Sequence, residues 1–199
     1  MVLGLAKKSV PAPYLTQTVH TDRFDLVNSN WRETLKMTLP WASDPETLHT
    51  LMYDRASYTR FQWAIRLRRP NGHSLFFHAI VSKDDNETIG AHYIRLDRSG
   101  TVSMAIALTA KSWWGKDVFE EVRVGLMDHF SRSQRVVRFS GRVLSRNFSS
   151  VYNYKKLGFR LIGYDQKAWL SPVTGELVDT MYFEYLAEDW RAHRQLELQ

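Results

Sequence analysis

The sequence predicts an α/β fold in which a mixed sheet of about six to seven strands is flanked by helices. Three β-rich segments follow one another between residues 74 and 108, separated only by short turns. Helical and strand periodicities then alternate from residue 116 to residue 186. The chain has 199 residues, of which 44% are hydrophobic and 24% charged, so it suits one domain with a single core.

Strands are predicted where the residues alternate between polar and apolar or form short apolar runs. These segments are residues 20–27, 74–81, 87–96, 101–108, 135–144, 159–170 and 177–186. The first three of them after residue 70 predict an antiparallel meander, and the later ones predict strand–helix–strand crossovers. The predicted domain therefore covers residues 20–190, between an irregular leader of residues 1–19 and a loose tail of residues 191–199.

Helices are predicted where apolar residues recur at three- and four-residue spacing after a capping signal. The segments are Asn30 to about Met37, Ser43 to about Met52, Tyr58 to Arg68, Lys116 to about Phe130, and Asn147 to Leu157. In the first two, a glutamate three residues after the first residue completes a capping box.

The segment from Asn147 to Phe159 has the clearest boundaries in the chain. The Asn147 side chain can accept hydrogen bonds from the unpaired N–H groups of the first turn, and Gly158 can adopt the left-handed conformation that ends a helix. Val151, Tyr154 and Leu157 recur at three-residue spacing, which predicts that one face of the helix packs on a core.

Composition narrows the classes of function. The chain has no cysteine, which removes disulfides, thiolate metal sites and any acyl-enzyme on a thiol. It has no recognisable signal peptide and no apolar run of the ~20 residues that cross a bilayer, so we expect a cytoplasmic protein that does not enter a membrane. The histidines show no metal-binding spacing, and no metal is expected. The aromatic residues follow core periods, so nucleic-acid binding is not expected.

The net charge of +6 is unevenly distributed. No acidic residue lies between Asp128 and Asp165, whereas this segment contains Arg132, Arg135, Arg138, Arg142, Arg146, Lys155, Lys156 and Arg160. The distribution predicts a positive potential around the helix that begins at Asn147, suited to an anionic ligand or simply to a solvated surface.

The order of residues in that helix resembles a signature of the GCN5-related N-acetyltransferase (GNAT) superfamily. The signature reads Asn-x-x-Ala/Ser-x-x-x-Tyr-x-Lys-x-Gly-Phe. It is matched by Asn147, Ser150, Tyr154, Lys156, Gly158 and Phe159. The resemblance implies the GNAT fold.

Further segments are similar to the branch that contains the ribosomal-protein N-terminal acetyltransferases. They are Thr21–Leu26, Trp41–Glu46, Glu87–Gly90, Trp114–Lys116 and Val178–Asp179, so the resemblance covers roughly residues 20–190. It implies an enzyme that transfers an acetyl group from acetyl-CoA to a primary amine by direct attack. The acceptor would be an amine-bearing small molecule or a peptide N-terminus, and a homodimer is compatible with this interpretation.

The resemblance also implies which residues hold the co-substrate. Backbone groups of Met104, Ala105, Ile106, Ala107 and Leu108 would pair with the pantetheine arm as an added strand would. The diphosphate would lie at the start of the next helix, against Lys111, Gly115, Lys116, Asp117 and Val118. Asn147 and Ser150 would complete the cofactor site.

Two residues are predicted to act on the reacting atoms. Tyr154 occupies the family's position for the acid that protonates the departing thiolate, and an ordinary core tyrosine is the alternative. Ser103 stands where many relatives have a basic glutamate, so His92 on the neighbouring strand is the predicted substitute. A water that relays the proton to a backbone carbonyl is the alternative base.

The diphosphate loop departs from the family pattern. Asp117 and Phe119 stand where small residues are expected, and they would place a negative charge and a large side chain beside the diphosphate. Either the loop is reshaped, or the chain is a non-catalytic binding module that takes a protein, nucleotide or RNA partner.

Overall fold

A computed structural model describes residues 13–198 and places helices on both faces of one sheet. In these residues the sheet has eight strands in the order β1-β2-β3-β4-β5-β6-β8-β7. They are β1 Val19–His20, β2 Phe24–Asn28, β3 Leu75–Ser82, β4 Thr88–Leu96, β5 Thr101–Leu108, β6 Arg138–Leu144, β7 Arg160–Leu170 and β8 Leu177–Leu186. The predicted α/β class with a mixed sheet is confirmed: β5 and β6 are parallel and all other neighbours are antiparallel.

The sheet has one strand more than the seven predicted segments because the first of them is interrupted. A turn at Thr21–Arg23 separates β1 from β2, and the Thr21 hydroxyl accepts a hydrogen bond from the Phe24 N–H at 3.1 Å. The Glu121 carboxylate accepts from the Thr21 hydroxyl and from the Arg23 N–H, which ties the turn to a helix almost one hundred residues later. Alternation along the chain did not reveal this turn because its partner is distant in sequence.

Six α-helices are present in residues 13–198. They are α1 Trp31–Thr38, α2 Pro45–Thr50, α3 Arg60–Arg66, α4 Val118–Ser131, α5 Phe148–Lys156 and α6 Ala187–Arg194, with 3₁₀ turns at Pro13–Thr16, Leu39–Ser43 and Lys111–Trp113. The Asn30–Glu33 capping box is present as predicted. Two predicted starts are displaced: Asp44 rather than Ser43 caps α2, and a box between Thr59 and Gln62 starts α3.

The helices divide into two groups on opposite faces. Side chains of α4, α5 and α6 pack with Phe76, Phe139 and Phe183 in the larger cluster. The first three helices and the turns between them cover the other face of β3, β4 and β5 around the fully buried Trp63. The face of β6, β8 and β7 opposite α5 keeps polar side chains, several of them exposed.

Both predicted flanks include ordered structure. Residues 1–12 of the predicted leader lie outside the described residues, whereas β1 begins at Val19. At the other end, α6 continues into the predicted tail. Its Trp190 is buried and donates to the Asp128 carboxylate at 2.9 Å, which holds α6 against α4. No helix in residues 13–198 has both the length and the apolar character that a membrane crossing needs.

Candidate active site

The two parallel strands at the centre of the sheet pair over only part of their length. The ladder between β5 and β6 joins Thr101, Val102 and Ser103 to Arg138, Phe139 and Ser140, and then stops. Both strands continue, β5 to Leu108 and β6 to Leu144. Backbone groups of β5 beyond Ser103 therefore face a V-shaped opening, where they can hydrogen-bond an extended ligand.

The predicted pantetheine segment lines this opening. Met104, Ala105, Ile106, Ala107 and Leu108 are the residues of β5 that follow the last ladder pair. Their other edge is occupied, because all five pair with β4. Sequence reasoning placed these residues on a strand, and the register shows that one edge of that strand is available.

Tyr154 fills the closed end of the opening. Its hydroxyl donates to the Met104 carbonyl at 3.4 Å, and a Cβ added at Gly141 would come within 2.1 Å of the same hydroxyl. The ring stacks on Phe183 at 5.0 Å and meets Phe159 edge-on at 5.0 Å. Because residue 141 is glycine, the phenol can lie between the diverging strands. The Phe159 and Phe183 rings, on the same face of the sheet as α5, hold it there.

The helix that carries Tyr154 is built as the sequence predicts. Asn147 is the N-cap of α5, and its side-chain oxygen accepts from the Ser150 N–H at 3.1 Å. Gly158 has φ of +83° directly after the helix. Asn147 and Ser150 are thus structural partners in the cap. Their predicted contact with the cofactor stays a prediction.

A buried arginine lies beside the tyrosine ring. Arg123 of α4 is only 1% exposed, and its guanidinium carbon is 4.6 Å from the Tyr154 ring centroid and 4.2 Å from that of Phe119. Its Nε and Nη1 atoms have no hydrogen-bond partner in residues 13–198. No carboxylate within residues 13–198 forms an ion pair with Arg123, and aromatic faces offset only part of the cost of burying a cation. The sequence does not predict that Arg123 is buried, because a single arginine in an amphipathic helix is expected on the exposed face.

The predicted diphosphate loop leads into the N-terminus of α4. Gly115 and Asp117 both have positive φ, of 75° and 55°, and Asp117 makes no side-chain cap, so the first-turn N–H groups of α4 are not capped by it. Lys111 begins the 3₁₀ turn before the loop. The Lys116 ammonium lies over the Trp113 ring at 5.1 Å. Val118 is buried, so it offers the loop only its backbone.

The two unusual residues of this loop have different surroundings. The Asp117 carboxylate is exposed and lies 3.4 Å from the Lys156 ammonium, which also pairs with Glu120. The Phe119 ring instead turns inward and meets Tyr154 edge-on at 6.1 Å. The Phe119 side chain therefore packs against Tyr154 and does not cover the N-terminus of α4.

His92, the predicted base, lies on the α4 side of the sheet. It is fully buried, it pairs in register with His78 on β3, and neither ring has a partner for either nitrogen in residues 13–198. Burial, followed by the nearby Arg123 charge, lowers the pKa of His92 well below its usual value. Its role as base stays a prediction, and direct proton transfer would require the amine to reach this side.

We expect the two buried histidines to make the fold sensitive to acid. Burial, with a smaller effect of His129, lowers the pKa of His78 to about 3. Because both folded pKa values lie below that of the unfolded chain, the unfolded state binds more protons, and stability present above pH ~6.5 is lost as the pH falls. Urea unfolding should show a loss of up to ~1.4 kcal/mol per pH unit per histidine below that point.

The substitutions His78→Asn and His92→Asn should each flatten this dependence, since asparagine does not titrate. His73→Asn changes an exposed histidine and serves as the matched control. An unchanged slope in both buried variants would contradict the assignment.

A polar row on the opposite face was not foreseen from the sequence. Ladder pairs join Arg95 to Ser103, Ser103 to Ser140, Ser140 to Glu184 and Glu184 to Arg160, so one row crosses five strands. The Ser103 and Ser140 hydroxyls are 3.1 Å apart, at the last ladder pair before the opening. The row depends on register between distant strands, which periodicity does not reveal.

The arginines of β6 and β7 do not surround α5. Arg138 and Arg142 alternate with Phe139, Gly141 and Val143, which face the helices, and therefore project from the other face. Arg160 pairs with Glu184 on that same face. Three of the eight cations in the predicted positive segment thus lie across the sheet from the Tyr154 helix, and Lys155 and Lys156 lie on that helix.

Comparisons with known proteins agree with this architecture. The profile of the acetyltransferase (GNAT) domain matches residues 14–160. No curated protein matches the chain.

Among residues 13–198 there is no group of three or more histidine, aspartate or glutamate side chains that could hold a metal ion.

Solved structures share the fold at low sequence identity. A probable GNAT acetyltransferase from Chromobacterium violaceum superposes with a TM-score of 0.71 at 15% identity, covering 96% of this chain and 95% of its own. The ribosomal L7/L12 α-N-protein acetyltransferase RimL, in complex with coenzyme A, gives 0.69 at 14% identity over 85% and 98%. Spermidine N-acetyltransferase from Vibrio cholerae, with CoA and spermine, gives 0.67 at 11% identity over 83% and 97%.

These comparisons confirm the family expected from the sequence. The matched profile covers about three quarters of the chain, from the turn before β1 to the start of β7, and so includes the opening and both helices beside it. The chain belongs to the GNAT acetyltransferase family.

Proposed function

We propose that this enzyme transfers an acetyl group from acetyl-CoA to a primary amine in the opening between β5 and β6. The observation that supports this most strongly is the Tyr154 hydroxyl, placed between diverging strands beside the Met104 carbonyl. A phenol at that point can donate a proton to a sulfur atom held in the opening. The opening itself provides an unpaired strand edge for an extended amide-bearing arm.

The two ends of the co-substrate would be held by different groups. The diphosphate would lie at the first turn of α4, where N–H groups and the helix dipole favour an anion, with Lys116 and Lys111 nearby in sequence. The pantetheine arm would follow β5 from Leu108 back to Met104, since β5 ends at the loop before α4. This path brings the thioester to Tyr154.

The chemistry then needs one attack and two proton movements. The amine nitrogen forms a bond to the thioester carbonyl carbon, and the carbon–sulfur bond breaks as the tetrahedral intermediate collapses. The amine loses one proton, and the departing thiolate takes one from Tyr154. Arg123 lies against the tyrosine ring, so its positive charge favours negative charge developing on the sulfur or on the phenol.

Two groups are candidates to receive the amine proton. His92 is neutral, but its lowered pKa makes it a weak base, and it faces α4 under full burial. A water on the open face, beside the Ser103 and Ser140 hydroxyls, is the second candidate and matches the direction from which an amine can approach. A peptide N-terminus and a polyamine are both acceptors of structural relatives and are the first to test.

A second function is favoured by one observation. Asp117 and Glu120 place carboxylates at the N-terminus of α4, where a diphosphate would bind, although Lys156 pairs with both. A binding module without turnover would follow if these carboxylates exclude CoA. We propose that Lys156 offsets one of these two negative charges, so that the site still binds CoA. We also propose that the protein is a cytoplasmic enzyme and a homodimer, which sedimentation tests.

The proposal is tested by measuring CoA release from acetyl-CoA with a panel of amines, and by mass spectrometry of the products. Transfer should depend on the amine and should add one acetyl group to it. Absence of both CoA binding and acetyl transfer across peptides, polyamines and amino acids would favour the binding module instead.

Replacing the buried Arg123 with methionine should separate stability from activity. Because the guanidinium has no carboxylate partner in the part of the chain that the structure describes, a methionine of similar length is expected to raise the free energy of unfolding by ~1 kcal/mol or more. The rate constant kcat should fall by ~10²-fold, since the charge near the departing sulfur is lost. Arg123→Lys keeps a cation and should retain more of kcat than Arg123→Met. Lower stability with unchanged kcat in Arg123→Met would assign the residue a packing role only.

A further inference from the structure

Several arginine side chains lie on the face of the sheet opposite α5. Arg138, Arg142 and Arg160 project from one face of β6 and β7, and Arg95 ends the same polar row on β4. Glu184 is the only acidic side chain among the ladder partners of that row, and it is shared by Arg138 at 3.8 Å and by Arg160. Asp165 of β7, which pairs in register with Thr180, is a second carboxylate on this face. Four arginines against these two carboxylates leave an excess of positive charge on this surface.

Arg142, like Arg95, makes no side-chain hydrogen bond within residues 13–198. Its guanidinium lies 5.6 Å from the Tyr182 ring centroid, and it makes no ion pair within residues 13–198. The side chain is exposed, and an aromatic ring near its guanidinium leaves the N–H donors unpaired within residues 13–198. This arrangement holds the guanidinium in place without using its capacity to bind two oxygens.

Arg142 also stands at the edge of the opening. It directly follows Gly141, the residue against which the Tyr154 hydroxyl lies, and alternation along β6 directs it to the other face. A ligand that approaches Tyr154 from that face meets the Ser103–Ser140 pair at the closed end. Arg142 lies on β6, with its guanidinium near Tyr182 of β8. The face with Tyr154 itself is filled by α4, α5 and their aromatic side chains, so the acceptor has one approach.

We propose that the acceptor is an amine that also carries an anionic group, a carboxylate or a phosphate, and that Arg142 binds this group. The inference rests on the proposed function, because it concerns the second substrate of the same opening. Charge complementarity carries it: a polycation such as a polyamine would meet four arginines and only two carboxylates, whereas an anionic oxygen pair matches the guanidinium. The proposal thus argues against a polyamine, one of the two acceptor types of the structural relatives.

The test uses matched pairs of amines that differ only in charge. One pair is 4-aminobutanoate and 4-aminobutanamide, and the other is O-phosphoethanolamine and ethanolamine, with spermidine as the polycation. Thermal shift with CoA present measures binding without turnover, and acetyl transfer measures kcat/KM. The anionic member of at least one pair should give the larger thermal shift and a ~10-fold higher kcat/KM, and the pair that responds identifies carboxylate or phosphate.

The variants Arg142→Gln and Arg142→Glu should bring the anionic-to-neutral ratio to about one or below it. Arg98→Gln, an exposed arginine in the turn between β4 and β5, is the matched control and should keep the wild-type ratio. Equal shifts within both pairs, or a larger shift with spermidine, would overturn the proposal. Failure of the proposed function has a different signature: the anionic shift persists but no amine is acetylated.

Discussion

Replacing Tyr154 with phenylalanine is expected to lower kcat by ~10²-fold or more while leaving the affinity for acetyl-CoA nearly unchanged. The phenol oxygen is the only atom removed, and its sole hydrogen bond in residues 13–198 is a long one of 3.4 Å to Met104. The ring, which supplies the contacts with Phe159 and Phe183, is retained. The free energy of unfolding should therefore change by less than ~1.5 kcal/mol.

The measurement is kcat and KM with the best amine found, together with urea unfolding of both proteins. A matched control is Tyr152→Phe, because Tyr152 lies on the same helix two residues before Tyr154 and its side chain is exposed. It should leave kcat close to that of the wild type. If Tyr154→Phe retains full kcat, the tyrosine is a core residue and the sulfur must be protonated by another donor.

Adding a single methyl group at Gly141 is expected to disrupt both stability and activity. A Cβ there would lie 2.1 Å from the Tyr154 hydroxyl and 2.2 Å from the ring carbon that carries it. The ring is enclosed by Phe119, Phe159 and Phe183, so it has little room to move away. Gly141→Ala should cost ~1–3 kcal/mol of stability, and displacement of the phenol by about 1 Å should lower kcat by ~10²-fold.

A second glycine and a double variant show whether the clash is the cause. Gly163→Ala is the control, because a Cβ there would meet its nearest atom, on Tyr182, at an ordinary 3.4 Å. In a Tyr154→Ala background, Gly141→Ala should cost almost nothing, which gives a coupling energy of ~1 kcal/mol or more. Equal costs of Gly141→Ala in both backgrounds would show that Tyr154 does not occupy the opening.

Much of the fold was predictable because its signals are local. The Asn30 and Asn147 caps, the Gly158 stop and the period change at residue 74 each depend on a few neighbouring residues. The break at Thr21–Arg23 was missed because its stabilising partner is Glu121. Similarly, the ordered α6 was expected as a loose tail, since its anchor is the distant contact between Trp190 and Asp128.

The candidate site was predictable only in part. The resemblance located β5, Tyr154 and the loop before α4, and the structure brings the first two together at the Met104 carbonyl. The surroundings of Arg123 and the arginines across the sheet depend on register and helix packing, which a period along one segment does not contain. Phe119 illustrates the same limit, because its position in the chain suggested a clash with a diphosphate and its rotamer directs it to Tyr154.

Acetyl-CoA binding tests the central claim most directly, because every role assigned to the opening depends on a thioester being held there. The measurement is the unfolding midpoint of the wild-type chain titrated with acetyl-CoA, with Gly141→Ala alongside. A saturable increase equivalent to ~2.7 kcal/mol at one hundred times the dissociation constant, reduced in Gly141→Ala, is the predicted result. An unchanged midpoint at millimolar acetyl-CoA would contradict the account.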